Sequence, residues 1–235
     1  MLPQLEQALK KAENPKKAKL LQGFFKTRKG EYGEGDIFLG IVVPEQRKIA
    51  KEFSNLHVDD LQILLNTNIH EKRLIALLIL VFQYKKADKN KNEQEKEEIF
   101  NFYLKNTRNI NNWDLVDLSC HKIIGQYLLD KERSLLYKLA KSENFWERRI
   151  SIISTLAFIP LLQFEDSIKL AEILLQDKHD LIHKAVGWVL REVGKKDKSV
   201  LIYFLDKYHK IMPRTMLRYS LEKLDEKTRK GYMKR

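Results

Sequence analysis

Residues 73–84 read Arg-Leu-Ile-Ala-Leu-Leu-Ile-Leu-Val-Phe-Gln-Tyr and contain the longest apolar stretch of the chain, Leu74–Phe82. Along an α-helix these side chains cover most of two faces, which is typical of a helix packed on both sides. A membrane-spanning helix needs about 20 apolar residues, so the stretch is too short to cross a bilayer. It therefore predicts a buried helix.

Apolar residues recur at spacings of three and four elsewhere in the chain, as at Val186–Val193, whereas strict alternation is rare. Residues that typically begin a helix lie between these apolar patterns and divide the chain into separate predicted helices. We expect helices to begin after Asn14, Asn68 and Asn112, because asparagine caps helix N-termini, and another to begin at Pro44.

Pairs of helices predicted in this way follow one another about every 35–45 residues without an exact sequence repeat, which is typical of degenerate HEAT-type repeats. The sequence therefore predicts an all-α fold, a HEAT-like helical-repeat solenoid that forms one domain over residues 1–235. A plain globular helical domain is the alternative.

The chain is basic: its 235 residues include 44 Lys and Arg against 32 Asp and Glu, a formal net charge of +12. This balance favours a polyanionic partner, either nucleic acid or an anionic membrane. The first residues lack the pattern of a secretory signal, and the single cysteine, Cys120, excludes a disulfide framework and a multi-cysteine zinc site. We therefore expect a cytoplasmic protein that binds nucleic acid and not a membrane.

The positive charge is concentrated towards the C-terminal end. Residues 184–235 contain 15 of the 44 basic residues but 6 of the 32 acidic ones. Such a region favours phosphate contacts, although a merely solvated charged surface is the alternative. The expected DNA-binding side chains are Lys184, Arg191, Lys195, Lys196, Arg214 and Arg218.

The strongest local feature is the segment 111–117, Asn-Asn-Trp-Asp-Leu-Val-Asp. Trp113 and Asp117 are four residues apart, so they share one helix face near a helix start. A carboxylate beside an indole on the same face is unexpected in a core and indicates a candidate site. The alternative is a partly buried tryptophan with a solvent-facing aspartate.

The other two tryptophans also have basic neighbours at helical spacing. Trp146 lies three residues before Arg149, and Trp188 shares a face with Lys184 and Arg191. Aromatic side chains interleaved with cations are typical of nucleic-acid binding by stacking and phosphate contact. The alternative is two core tryptophans with peripheral ion pairs.

Glycine and histidine positions carry weaker predictions. Gly187 falls inside a predicted helix, where glycine costs roughly 1 kcal/mol against alanine, so we expect it to permit close packing. The glycine-rich segment Lys26–Asp36 cannot be a helix interior and lacks the spacing of a phosphate-binding loop. His179 and His183 are spaced like helical metal ligands, but a third ligand is not evident, so we expect no metal and no cofactor.

Taken together, four segments resemble the bacterial DNA alkylation-repair glycosylases of the AlkD-like family, and the resemblance extends over nearly the full length. The segment around Trp188 is the most specific of them. The four are Phe38–Arg47, Asn112–Asp117, Trp146–Arg149 and Lys184–Glu192.

This resemblance implies HEAT-like repeats with a basic concave face that binds duplex DNA, and removal of N3- or N7-alkylated purines by cleavage of the N-glycosidic bond. By matching motifs, Asp117 corresponds to the catalytic carboxylate, and Trp113 and Trp188 to the aromatics that flank the lesion. Arg149 corresponds to the arginine near this carboxylate and the DNA backbone. We expect a monofunctional enzyme and a monomer.

The residue types suit this chemistry. Alkylation at N3 or N7 gives the purine a positive charge, so it leaves readily and a general acid is dispensable. A carboxylate then stabilises the positive charge that develops on the deoxyribose, or orients water. Indole faces favour a cation by roughly 0.5–2 kcal/mol, which selects the charged lesion over normal bases.

The sequence departs from the family pattern at the rim of the expected cleft. The glycine-rich segment resembles an insertion, Val42 replaces an expected polar residue, and Phe24 and Phe25 stand where a tyrosine is expected. Two alternatives stay open: a non-catalytic binder of bent or branched DNA on the same scaffold, and a helical-repeat scaffold for proteins. Only the glycosylase requires Asp117 to be exposed between aromatic side chains.

Overall fold

The computed structural model describes residues 1–234, and every regular element in that range is helical apart from an isolated parallel bridge between Ile37 and Ile69. The predicted all-α fold class is confirmed. None of the helices in these residues is long and apolar enough to cross a membrane. Contacts divide the chain into two compact units, Met1–Ser119 and Cys120–Arg235, and the expectation of one domain over residues 1–235 stays a prediction.

The first unit is built around one long buried helix. Leu74 and the next six residues are each at most 3% exposed, and their helix packs against the third, fourth and sixth helices, so the predicted two-sided packing is confirmed. The helices are α1 (Leu2–Ala12), α2 (Pro15–Phe24), α3 (Val43–Glu52), α4 (Val58–Leu65), α5 (His70–Lys89), α6 (Glu93–Lys105) and α7 (Trp113–Cys120), which ends one residue past the unit.

Most of the predicted helix starts are confirmed. The Asn14 side chain caps α2, Pro44 is the second residue of α3, and Asn112 directly precedes α7. The prediction for Asn68 was wrong, because α5 begins two residues later. The Asn68 carbonyl instead accepts the backbone N–H of Ile37 at 2.9 Å, which ties the glycine-rich segment to the start of α5.

The second unit begins with a π-helical turn, His121–Gly125, and contains two short 3-10 turns, Thr155–Ala157 and Ile159–Leu161. Seven further α-helices follow within its described residues. They are α8 (Ser134–Leu139), α9 (Phe145–Ser154), α10 (Glu165–Ile173), α11 (Asp180–Lys196), α12 (Lys198–Tyr208), α13 (Arg214–Leu221) and α14 (Glu226–Met233).

Gly187 brings α11 and α13 together. A Cβ atom on Gly187 would lie 2.5 Å from the Tyr219 Cβ and 2.6 Å from the Met216 carbonyl oxygen, so no larger residue fits without movement of α13. The predicted close packing at this glycine is confirmed. The contact with α13 holds α11, the helix that carries Trp188, in place.

Gly187→Ala is therefore expected to destabilise the protein by about 1–3 kcal/mol, because the cost of overpacking exceeds the gain in helix propensity of about 1 kcal/mol. Urea denaturation measures the change. Gly23→Ala in α2 is the matched control, since nothing lies within 4 Å of a Cβ there, and it should leave stability unchanged or slightly raised. Equal effects of the two substitutions would contradict the packing argument.

Candidate active site

The first unit contains a cavity of about 400 Å³ beside the first turns of α7. Trp113 and Asp117 both line this cavity and are both half-buried. Their four-residue spacing therefore places the indole and the carboxylate on one face, as expected. Most of the remaining wall is apolar and comes from α2, from the segment before α3 and from α3 itself.

Aromatic rings stack along one wall of the cavity. Phe25 lies face to face with Trp113, with ring centroids 5.1 Å apart and planes at 13°, and also with Phe38 at 5.0 Å and 22°. Phe38 in turn stacks on His70 at 4.5 Å, and Phe24 meets Trp113 edge-on at 5.9 Å. These ring contacts fix the plane of the Trp113 indole. Phe24 and Phe25, which stand where a tyrosine is expected, both contact this indole through their rings.

A buried ionic cluster lies behind this stack. His70 is 1% exposed, its Nδ1 is 3.1 Å from an Asp36 carboxylate oxygen, and its Nε2 is 2.8 Å from Asp114. Arg73 pairs with the other Asp36 oxygen at 2.6 Å and donates a hydrogen bond to the Asn111 side chain. Two cations and two carboxylates thus join the glycine-rich segment, α5 and the start of α7.

The surroundings of His70 favour its charged form. Burial alone would lower the pKa of His70, but the charge and hydrogen bond of Asp114, with the hydrogen bond of Asp36, raise the pKa to about 9. Burial likewise opposes ionisation of Asp36, yet its hydrogen bond with His70 and the charge of Arg73 hold the pKa of Asp36 below its ordinary value. At neutral pH both ring nitrogens of His70 therefore donate hydrogen bonds.

This cluster should make stability depend on pH. The folded-state pKa of His70, about 9, lies above the ordinary value of 6.5, so its stabilisation is complete below pH 6.5 and is lost as the pH rises through 9. We expect the free energy of unfolding to fall by about 1–3 kcal/mol over that range. Urea denaturation at several pH values measures it. His70→Gln should lower stability but remove this dependence, and an equal pH slope in both proteins would contradict the assignment.

A third buried carboxyl group, that of Glu71, fixes the cavity floor. The Glu71 oxygens accept the backbone N–H groups of Leu39, Gly40 and Ile41 at 2.9, 2.8 and 3.2 Å. Gly40 has φ +83°, and a Cβ there would lie 2.1 Å from the Asn14 carbonyl oxygen. Only glycine fits this position. The turn that it allows places the next two residues, Ile41 and Val42, against the cavity.

The second unit holds the other predicted site residues. Arg149 is 4% exposed and donates a hydrogen bond to the Leu181 carbonyl oxygen, whereas Trp188 is half-buried on α11. Trp146 is 5% exposed and belongs to the core, as the structural alternative expected. The convergence of Arg149 and Trp188 with Trp113 and Asp117 on one cleft stays a prediction.

The predicted DNA-binding side chains of this unit differ in whether a carboxylate pairs with them. Three of them pair with carboxylates, namely Lys184 with Asp180 at 2.7 Å, Lys195 with Glu192 at 2.7 Å, and Arg191 with two glutamates. The other three are exposed: Lys196, Arg214, which donates to the Met233 carbonyl oxygen, and Arg218, which lies over the Tyr219 ring. Pairing reduces the charge that the first three offer to phosphate.

Sequence patterns alone did not identify Asp36, His70 or Glu71 as parts of the site. One signal was available for Asp36, an acidic residue between a glycine-rich turn and an apolar segment. No local signal marks His70, because its two partners are 34 and 44 residues away in the chain.

Two comparisons with known proteins give a match. A family model described as "DNA alkylation repair enzyme" matches residues 5–224. A solved structure described as a "Predicted DNA alkylation repair enzyme from Enterococcus faecalis" is similar with a TM-score of 0.68 and 18% identity, over 91% of this chain and 97% of that chain. At that identity the likeness shows the fold alone. A search of curated proteins gives no match.

Proposed function

Because the chain belongs to the DNA alkylation repair enzyme family, whose model matches nearly its whole length, we propose that it is a monofunctional DNA glycosylase. Its substrate is duplex DNA that contains a cationic N3- or N7-alkylated purine, and its reaction is hydrolysis of the N-glycosidic bond. We further propose that it acts as a monomer, in the cytoplasm, where DNA is accessible.

One observation carries this proposal: Asp117 and Trp113 line the same aromatic-walled cavity. A carboxylate beside ring faces suits a centre of positive charge, because the carboxylate attracts the charge directly and the rings attract it through their negative faces. Asp117 and Trp113 are only partly buried, so both are accessible to a ligand that enters the cavity.

The reaction needs few groups from the protein. As the C1′–N bond breaks, the bond pair goes to the cationic purine, which leaves neutral, and positive charge develops on the deoxyribose. Asp117 stabilises that charge and orients the water that adds to C1′, while the proton of that water is released. Trp113 and Trp188 contact the cationic base, and Arg149 binds the DNA backbone in this proposal. Neither a metal nor a redox cofactor takes part.

A single-turnover assay on duplex DNA with one N7-methylguanine tests the proposal. We expect excess protein to release the methylated base faster than the spontaneous rate, leave unmodified guanine in place, and leave the strand intact until alkali cleaves the abasic site. Tight binding of the modified duplex without base release would overturn the enzyme proposal and favour a non-catalytic DNA binder.

A further inference from the structure

A second basic surface lies at the N-terminal end of the first unit. Residues 16–29 contain six basic and no acidic side chains. All six are exposed, and within residues 1–234 none of them pairs with a carboxylate. They are Lys16, Lys17, Lys19, Lys26, Arg28 and Lys29.

Two acidic side chains of the loop that follows α2 are engaged with the loop backbone. Glu31 accepts the backbone N–H of Arg28 at 2.9 Å, and Glu34 accepts the backbone N–H of Gly30 at 2.7 Å. The loop therefore uses its carboxylates to hold its own backbone. The positive charge beside it stays available to a partner, in contrast to the ion-paired Lys184, Arg191 and Lys195 of α11.

The same surface is apolar at its centre. Lys16, Leu20 and Phe24 follow one another at intervals of four along α2, and Leu20 and Phe24 are 73% and 63% exposed. Leu21, three residues before Phe24 on the neighbouring face of α2, lines the cavity. Since Phe24 also lines the cavity and contacts Trp113, the exposed stripe ends at the cavity mouth.

We propose that residues 15–30, the α2 edge, form a contact surface for the sugar-phosphate backbone of duplex DNA. The lysines and Arg28 contact successive phosphates, and Leu20 packs on the apolar face of a deoxyribose. The contact holds the DNA strand beside Trp113 and Asp117. The inference rests on the proposed function for its partner, duplex DNA, but not on base removal.

Charge complementarity and position favour DNA over an anionic membrane. Basic amphipathic helices on membranes bury a continuous apolar face, whereas the exposed apolar residues of α2 are two large side chains with lysines beside them. Phosphate contacts need cations that carboxylates do not already neutralise, and the α2 edge provides six of them next to the candidate active site.

Salt-dependent binding to undamaged duplex DNA tests the inference with two triple variants. In K16Q/K17Q/K19Q, affinity should fall at least about tenfold at 0.1 M salt, and the slope of log K against log salt should become shallower by about 2–3. The matched control is K85Q/K89Q/K105Q, which neutralises three exposed lysines of α5 and α6. It should bind within about twofold of the wild type. Thermal melting checks that both variants are folded.

Further measurements distinguish a DNA contact on α2 from a membrane contact and from the proposed base removal. Leu20→Ser should weaken binding with an unchanged salt slope, because it removes no charge. Equal affinity of the two triple variants for duplex DNA would overturn the inference. The inference would also be overturned if K16Q/K17Q/K19Q lost its binding to vesicles with anionic lipid but kept its binding to duplex DNA. A wild-type protein that releases no methylated base, but whose DNA affinity depends on the three α2 lysines, would refute the glycosylase proposal and leave this inference standing.

Discussion

Asp117→Asn is expected to lower the single-turnover rate of base release about 10²–10³-fold, the scale on which one preorganised electrostatic group acts. The substitution keeps size and shape but removes the negative charge that faces the cavity beside Trp113. The alkylpurine leaves without protonation, so the carboxylate acts mainly on the charge that develops in the transition state, and the ground state loses little. Base release from an N7-methylguanine duplex measures the effect.

Binding gives the Asp117 variant a second readout. Affinity for the intact duplex should stay equal or increase, because a carboxylate near phosphates repels them. Asp130→Asn, an exposed aspartate of the second unit, is the matched control and should keep the wild-type rate. If Asp117→Asn retains full activity while the wild type releases base, another carboxylate performs the catalytic role.

Glu71→Ala is expected to lower the free energy of unfolding by about 3–5 kcal/mol. Glu71 is 0% exposed, and its carboxyl oxygens accept three backbone N–H groups from the segment that forms the cavity floor. Truncation leaves three donors unsatisfied, and each buried unsatisfied group costs about 1–3 kcal/mol. Urea denaturation at neutral pH measures the loss.

Two companion variants make the Glu71 experiment specific. Glu97→Ala removes an exposed glutamate of α6 and should change stability by no more than about 0.5 kcal/mol. Glu71→Gln keeps one acceptor oxygen but turns an N–H₂ group towards the backbone donors, so its loss should be intermediate. A loss below about 1 kcal/mol for Glu71→Ala would show that solvent or a local shift satisfies these donors.

The parts of the molecule that the sequence predicts are those governed by local spacing. The apolar run of α5 leaves no polar face on the helix, so its buried two-sided packing follows from the residues alone. Trp113 and Asp117 are four residues apart on one helix, which is enough to place both at one cavity. Gly187 has the same character, because a glycine in the middle of a long helix costs stability and therefore indicates a packing reason.

The remaining parts depend on contacts between distant segments, which no local pattern records. His70 looks like an ordinary helix-start histidine until Asp36 and Asp114 are brought to its two nitrogens. Residues 184–235 carry the larger excess of basic side chains, but part of that charge is paired within the protein, since Arg191 pairs with Glu222, 31 residues away. The six unpaired cations around α2 are less conspicuous in the sequence, and only the folded loop shows where its carboxylates are engaged.

The cluster around His70 has a consequence for the kinetics of folding. Its hydrogen bonds join residues far apart in sequence: Asp114 is 44 positions after His70, and Asn112 is 76 positions after Asp36. Closing loops of this length costs chain entropy before any contact compensates for it, whereas the helices form from near neighbours. We therefore expect the cavity to assemble after α5 and α7, on the native side of the folding barrier. Substitutions in the cluster should then accelerate unfolding and leave the folding rate nearly unchanged.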